Sequence, residues 1–376
     1  MKKIYISICI SLVSFVLVGQ ERHQLEIATL GGYEYNYFKS PTMISTDDGI
    51  LTEEDLISSS FYQDISADYG FRYKWGADRL RFYALPYARI FQENMDDSYW
   101  SIDSKIKYDH KFNRKTRFFA GLNFKRMNRE GLDGAQDVLV NPLGYTLLGS
   151  ELELERTNAK NVISRIGLFH NFKNFDAFGT RDLEYHEFGS QLKLEKEFEK
   201  QDLEHTLGFL AYYKVRLYNT FNASEISSEG NRDWRYIRAT AYYEYPISKS
   251  IRLKPSVTYY QRMDPLANRS GFRQYGPSLG LYVKTKRTRI RSQIEYLKRN
   301  YTDILARDNE GLLEENITYN YTDFSLRFEH QLSHSSFSLT GNLYSRLRTT
   351  NYSDLAARSF RGYRNQYAGI GIKWEL

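Results

Sequence analysis

Cysteine is all but missing from this chain of 376 residues: the single one, Cys9, sits inside the apolar run Ile4 to Val18. Met1, Lys2 and Lys3, that run, and the small Gly19 before Gln20 describe a secretory leader over residues 1–20, followed by one domain over 21–376. Ile8 precedes Cys9, which argues against a lipid-attachment cysteine, so the expected mature chain has no thiol. Disulfides, thiolate-held metals and a cysteine nucleophile are thereby excluded. Proline is scarce too, at seven residues. Beyond the leader no apolar run approaches the roughly 18 residues that a membrane helix needs. The formal charge of +6, reduced by loss of Lys2 and Lys3, is modest for the length and calls for no nucleic-acid partner.

Aromatic residues, by contrast, make up 16% of the chain, 32 of them tyrosine, in a sequence whose mean hydropathy is only −0.59. Such a polar, tyrosine-rich composition suits a barrel whose lipid-facing and lumen-facing residues alternate, with aromatic girdles at both interfaces. The alternation is clean from Phe61, where Phe61, Ile65, Ala67, Tyr69, Phe71, Tyr73 and Trp75 oppose Tyr62, Asp64, Ser66, Asp68, Arg72 and Lys74. Gly76 to Asp78 make a tight turn, and Leu80, Phe82, Ala84, Pro86, Ala88 and Ile90 carry the apolar face back. Pro86 does not suit an interior strand, and a bulge is expected there.

The same unit recurs to the end of the chain. A first strand over His23 to Lys39 is followed by a polar, acidic loop from Ser40 to Ser58. Later pairs are read at Tyr99 to Phe112 with Thr116 to Asn128, Tyr145 to Glu155 with Asn161 to Phe172, and Tyr185 to Phe198 with Leu203 to Tyr218. They continue with Asp233 to Ile247 and Ile251 to Met263, Phe272 to Lys284 and Arg289 to Tyr301, and Asn316 to His330 with Ser336 to Arg348. Between Arg289 to Tyr301 and its successor a long loop is expected over Thr302 to Glu315. Short turns and long loops alternate throughout, the short ones on the inner side of a transmembrane barrel and the long ones on the outer side. That parity requires Tyr145 to Glu155 to be a strand. It gives an all-β, up-and-down antiparallel barrel of about sixteen strands, with fourteen as the alternative. Strands of about 12 to 16 residues exceed the five or six usual in soluble sandwiches, and no repeat of about 40 residues with a shared signature marks a propeller.

The final stretch, Gly362 to Leu376, puts Ala368, Ile370, Ile372, Trp374 and Leu376 on one face and suits the strand that closes the sheet on its first member. With the leader and the hairpins it resembles Gram-negative outer-membrane β-barrel proteins, porin-like and of no identified subfamily. Gly371, Trp374 and Leu376 match the assembly signal of that class; Leu376 stands where an aromatic is usual and Gly369 where a polar residue is common. The resemblance implies the outer membrane as location, contact with its lipid, and insertion by the barrel-assembly machinery.

If apolar faces look outward, the inward face of the second half is rich in cations: Arg238, Arg252, Lys254, Arg262, Lys284, Arg289, Arg291, Arg299, Arg327, Arg346 and Arg348. Inward positions of the first half carry Asp64, Asp68, Asp103, Asp109, Glu187, Glu195, Glu197 and Glu204, with Lys105 and Lys107. An acidic arc facing a basic arc would set a field across the bore that favours anions; alternatively the charges pair across the lumen and help fill it. Tyr62, Tyr83, Tyr87, Tyr212, Tyr242, Tyr260 and Tyr282 also point in and narrow it. The expected activity is passive diffusion of small hydrophilic, preferentially anionic solutes. Against it stands a non-conducting barrel subunit of an assembly, secretion or surface-binding complex, with self-association or a partner at the outer loops. An inward fold of Arg129 to Pro142 favours a constricted pore.

No cofactor is called for, and no HExxH, metal-ligand set or phosphate-cradling loop is present. His170, His186, His205 and His330 fall on outward faces. A hydrolase site would have to be assembled by barrel closure around His110, His205 or His330, and the chain is read as no enzyme. The acidic loop Asp47 to Asp55 reads as solvated rather than as a cation site.

Overall fold

The computed structural model describes residues 20–128, 130–132, 140–142, 144–158, 161–176, 184–222, 231–265, 271–333, 336–357 and 360–376. The leader expected over 1–20, but for Gln20, and most of Arg129 to Pro142 lie outside the described residues.

Sixteen strands form one closed antiparallel barrel in simple up-and-down order. They are β1 (Gln20–Tyr35), β2 (Ser60–Trp75), β3 (Asp78–Phe91), β4 (Tyr99–Lys111), β5 (Thr116–Asn128), β6 (Tyr145–Thr157), β7 (Val162–Phe175) and β8 (Glu184–Lys200). The second half comprises β9 (Leu203–Asn222), β10 (Asn231–Pro246), β11 (Ile251–Met263), β12 (Phe272–Lys284), β13 (Thr288–Arg307), β14 (Leu312–Gln331), β15 (Phe337–Thr350) and β16 (Tyr363–Glu375). The strand required by parity is β6. Closure joins β1 to β16, with Ile27 opposite Trp374 and Gly32 opposite Gly369. Among the described residues no strand of the barrel is left with an unpaired edge, which a long exposed β-edge would otherwise offer to other chains.

Two sequence expectations fail locally. Register is unbroken through Pro86: Ser66 opposes Tyr87, Tyr69 opposes Ala84, and Pro86 itself opposes Ile102 of β4. Only the pairing of 67–68 with 85–86 lapses, because proline brings no N–H and inserts no extra residue. The loop expected over Thr302 to Glu315 is the tip of a hairpin, since β13 continues to Arg307 and β14 begins at Leu312 with two register shifts between them. Asp308 Oδ1 accepts the N–H groups of Glu310 at 2.8 Å and Gly311 at 2.9 Å, and Gly311 takes a φ of +148°. Below that turn Ala306 and Ile317, both fully buried, pack in one cluster with Tyr319 and Tyr321.

Packing inside the barrel depends on missing side chains as much as on present ones. An added Cβ on Gly208 would lie 2.1 Å from the Tyr242 ring, so the glycine is the space in which that ring rests. From there the Tyr242 hydroxyl donates to Glu195. Gly208→Leu is expected to lose about 1–3 kcal/mol of stability by displacing the ring, seen as a lower temperature for loss of the compact band in heat-modifiability gels. Gly208→Leu with Tyr242→Ala should recover part of the loss; if the double variant is no better than the single, the packing account is wrong.

Candidate functional site

The lumen is not uniform along its length. At the end bearing the long loops, inward side chains are buried. Tyr62 and Phe91 are each 1% exposed, and Tyr37, from the segment after β1, lies stacked on Phe91 at 4.4 Å between ring centroids. Leu30, Tyr37, Tyr62 and Phe91 form one cluster, with Phe38, Tyr99 and Tyr367 against it. The start of the 36–59 loop is thus folded into the mouth of the barrel, while 47–55 stay exposed. Its Tyr37 hydroxyl donates to Asp97 Oδ2 at 2.5 Å and accepts from Asn94 at 2.7 Å. Burial raises the Tyr37 phenol above its ordinary range, so it stays protonated as the donor.

Beside that cluster lies a buried ion network. Arg89 donates to both oxygens of Asp64, at 2.7 and 2.8 Å, and to Glu34 at 2.6 Å, with its guanidinium 4.0 Å over the Tyr62 ring. Tyr87 donates to Asp64, and Asn365 to Glu34 and to the Tyr35 and Asn36 carbonyls. The fork geometry of guanidinium on carboxylate makes such a pair strong only when the remaining lone pairs are also met, as they are here.

Around the opposite wall at the same height runs a collar of aromatic rings and cations. Arg216 lies over Tyr185 at 4.2 Å, Arg262 over Trp234 at 4.3 Å, Arg299 over Phe272 at 4.2 Å, and Arg348 over Tyr363 at 4.3 Å. Rings touch ring to ring from Tyr185 through Tyr218, Trp234, Tyr236, Tyr260 and Phe272 to Tyr301 and Tyr319. Stacked guanidiniums are held by the ring quadrupoles and shed less hydration than ammonium groups would.

Towards the short turns the lumen opens. Side chains of Arg289 and Glu204 are 55% and 60% exposed, and Tyr282, Lys284, Arg291 and Gln293 are exposed as well. Between the two zones a cavity of about 410 Å³ lies against β12 to β16, lined by Tyr282, Arg291, Gln293, Ser325, Arg327, Asn342, Tyr344 and Tyr367 among others.

The outer wall is the reverse. Leu148, Leu152, Leu154, Ile166, Leu168, Leu207, Val257, Ile294 and Ile370, at outward positions of six strands around the barrel, are each at least half exposed. A continuous apolar surface of that extent is rare on a protein that stays in water, and a closed barrel satisfies every backbone group that hydrocarbon cannot. This is a closed sixteen-stranded β-barrel with an apolar outer wall, the architecture of a membrane-spanning barrel.

No protein-family model matches the sequence, and no curated protein matches it. Among solved structures the barrel is similar to the siderophore receptor PirA from Pseudomonas aeruginosa, at 10% identity over 96% of this chain and 81% of that one, with a TM-score of 0.43. It is similar also to OccK1 (OpdK) of Pseudomonas aeruginosa, at 9% identity over 94% and 98%, TM-score 0.42. The alcaligin outer membrane receptor FauA from Bordetella pertussis matches at 12% identity over 86% of this chain, TM-score 0.41, and the barrel spans 51% of its length.

The charges expected to face one another across the bore are satisfied sideways, within two staves. Asp64 pairs with Arg89, Asp109 with Arg79 and Arg81, Glu187 with Lys214 and Arg216, and Glu195 with Lys193; Asp103 is 3.9 Å from Lys125, and Glu204 is 4.0 Å from Arg252. Asp68 and Glu197 make no ion pair among the described residues. On the basic side, Arg252 and Lys254 reach Glu244, Arg346 holds Asp323 in a fork, and Arg289 reaches Glu329. Arg299 donates to Gln274, and Arg348 to the Arg361 carbonyl. Arg238, Lys284, Arg291 and Arg327 have no carboxylate within 4 Å among the described residues. The lateral pattern has a simple cause: adjacent inward positions are close on the sheet, whereas the bore separates opposite walls. Gly121 even lets Glu151 of β6 lean across β5 to Lys105 and Lys107 of β4.

The sequence reading passed over Glu34, Tyr37, Arg89, Lys214 and Arg216. Glu34 and Arg89 do sit at inward parity, so they were findable as charges, but the bond from Asn365 to Glu34 was not. The assembly-signal residues divide between faces: Gly371 lies on the inward register, while Trp374 and Leu376 are exposed outside. His23, His110, His170, His186, His205 and His330 all have outward register positions. His110 Nδ1 meets Asp78 at 2.7 Å, His330 meets Thr288 at 2.9 Å, His205 meets Tyr243 at 2.7 Å, and His170 meets His186 at 3.0 Å. Among the described residues these contacts form no hydroxyl, imidazole and carboxylate relay, and no three metal-ligating side chains converge. In the acidic loop, Glu53 accepts from Tyr35 and Asp55 closes a capping box on Thr52.

Proposed function

We propose that this barrel is a channel of the outer membrane, narrowed at its outer mouth, that passes small hydrophilic solutes with a preference for anions. The observation that carries the reading is the imbalance in the wet part of the lumen. Lys284, Arg291 and Arg327 keep uncompensated charge there among the described residues, while most inward carboxylates are neutralised by neighbours. Fixed positive charge in a low-dielectric tube raises the local anion concentration and lowers that of cations. The first part of the 36–59 loop narrows the mouth through Tyr37.

In planar bilayers with a salt gradient of potassium chloride, the purified chain is expected to give a reversal potential of the sign for chloride over potassium, by about a few-fold in permeability. Equal permeability would remove the anion preference. Absence of any current would remove the channel and leave a non-conducting barrel whose outer loops dock a partner. That second reading draws on the interlocked loops: Ser45 donates to Leu355, Arg361 to Met43, and Leu355 to Asn309.

A further inference from the structure

Arg291 of β13 and Arg327 of β14 are register partners, directly opposite one another on the inward face. Like charges so placed repel, and no carboxylate approaches either within 4 Å among the described residues. Both line the cavity of about 410 Å³, in which no Asp or Glu takes part. On its other side, Tyr344 and Tyr367 are stacked with centroids 5.1 Å apart and planes at 22°, and Asn342 and Gln293 add amide groups. The volume falls in the range of small-molecule sites, about 300–1,000 Å³.

We infer that this cavity is a subsite for an acidic sugar. The ligand's carboxylate lies between the two guanidiniums, which suit planar bidentate contact with oxyanions and lose their mutual repulsion when it binds. The apolar face of the pyranose lies against the tyrosine pair, whose rings give flat apolar area at low entropic cost. Ring hydroxyls are met by Asn342 and Gln293, which can donate and accept. The inference rests on the channel reading only in supposing that solutes reach the cavity.

Titration calorimetry on the full chain in detergent micelles, with glucuronate, glucose and acetate as probes, tests it. Glucuronate is expected to bind at least about tenfold more tightly than either glucose or acetate. Arg291→Met and Arg327→Met should each weaken glucuronate by about tenfold or more, and Tyr344→Ala should weaken glucuronate while leaving acetate unchanged. Arg327→Lys, which keeps the charge and the fold but not the fork, should fall between. Acetate binding as tightly as glucuronate, or Arg→Met variants that fold to the compact band and bind like wild type, would overturn the subsite. Arginine-dependent glucuronate binding in a barrel that carries no current would sink the channel and leave the subsite standing; current without such binding does the opposite.

Discussion

Excising residues 37–58 and joining Asn36 to Ser59 through a short Gly-Ser turn is expected to raise the single-channel conductance by about several-fold, since current through a water-filled barrel follows its narrowest cross-section. The segment removed supplies Tyr37, 2% exposed and packed on Phe91 and Tyr62, and it links the mouth to the last outer loop through Ser45 and Met43. Sixteen staves enclose a bore wide enough for an aqueous path when no loop enters it. Surface loops tolerate such shortening because no barrel backbone bond depends on them. Tyr37→Ala alone removes one ring from the cluster and is expected to give a smaller step in the same direction. The measurement is the mean current step in planar bilayers at high salt. A deletion variant that folds and conducts like the intact chain would show that the constriction lies elsewhere.

Arg89→Met is expected to cost about 3–5 kcal/mol of barrel stability, the range for stripping one partner from a buried charge network. Arg89, Glu34 and Asp64 have side chains only 8%, 9% and 11% exposed, and among the described residues the arginine is the one cation in contact with both carboxylates. Its loss leaves two negative groups facing each other beside Tyr62 and Phe91, away from water. The compensating variant Glu34→Gln, Asp64→Asn, Arg89→Met removes the charges as well and should recover most of the loss, since neutral groups of similar shape are far cheaper to bury than an unpaired ion. Midpoints of heat-induced loss of the compact band, read for single and triple variants, decide it. If Arg89→Met unfolds with the wild type, or the triple variant is worse than the single, the network is not what holds this side of the mouth.

How far the chain could be read ahead of its structure differs between wall and lumen. The staves were legible because a barrel strand alternates residue by residue, and Phe61 to Trp75 or Ala368 to Leu376 declare their faces without reference to any neighbour. Parity of long and short connections then located β6 from its surroundings. The hairpin tip at Asp308 to Gly311 was missed because a polar, glycine-containing stretch reads as loop whether or not its flanks pair. Pro86 misled for a related reason: a missing N–H looks like an interrupted strand, yet the register runs through it.

What the sequence determined alone is therefore the wall: period, topology, strand number, the apolar outside and the charged inside, all carried by contacts between neighbours in the chain. Only the tertiary structure decided what the lumen does with its charges. Asn365 reaches Glu34 across 331 residues of chain, Arg361 reaches Met43 across 318, and Tyr37 meets Asp97 across 60. The first two of those distances in sequence vanish only when β16 closes on β1. No local pattern records a partner that closure brings, so which cations stay uncompensated and which loop enters the bore had to be read from the folded barrel.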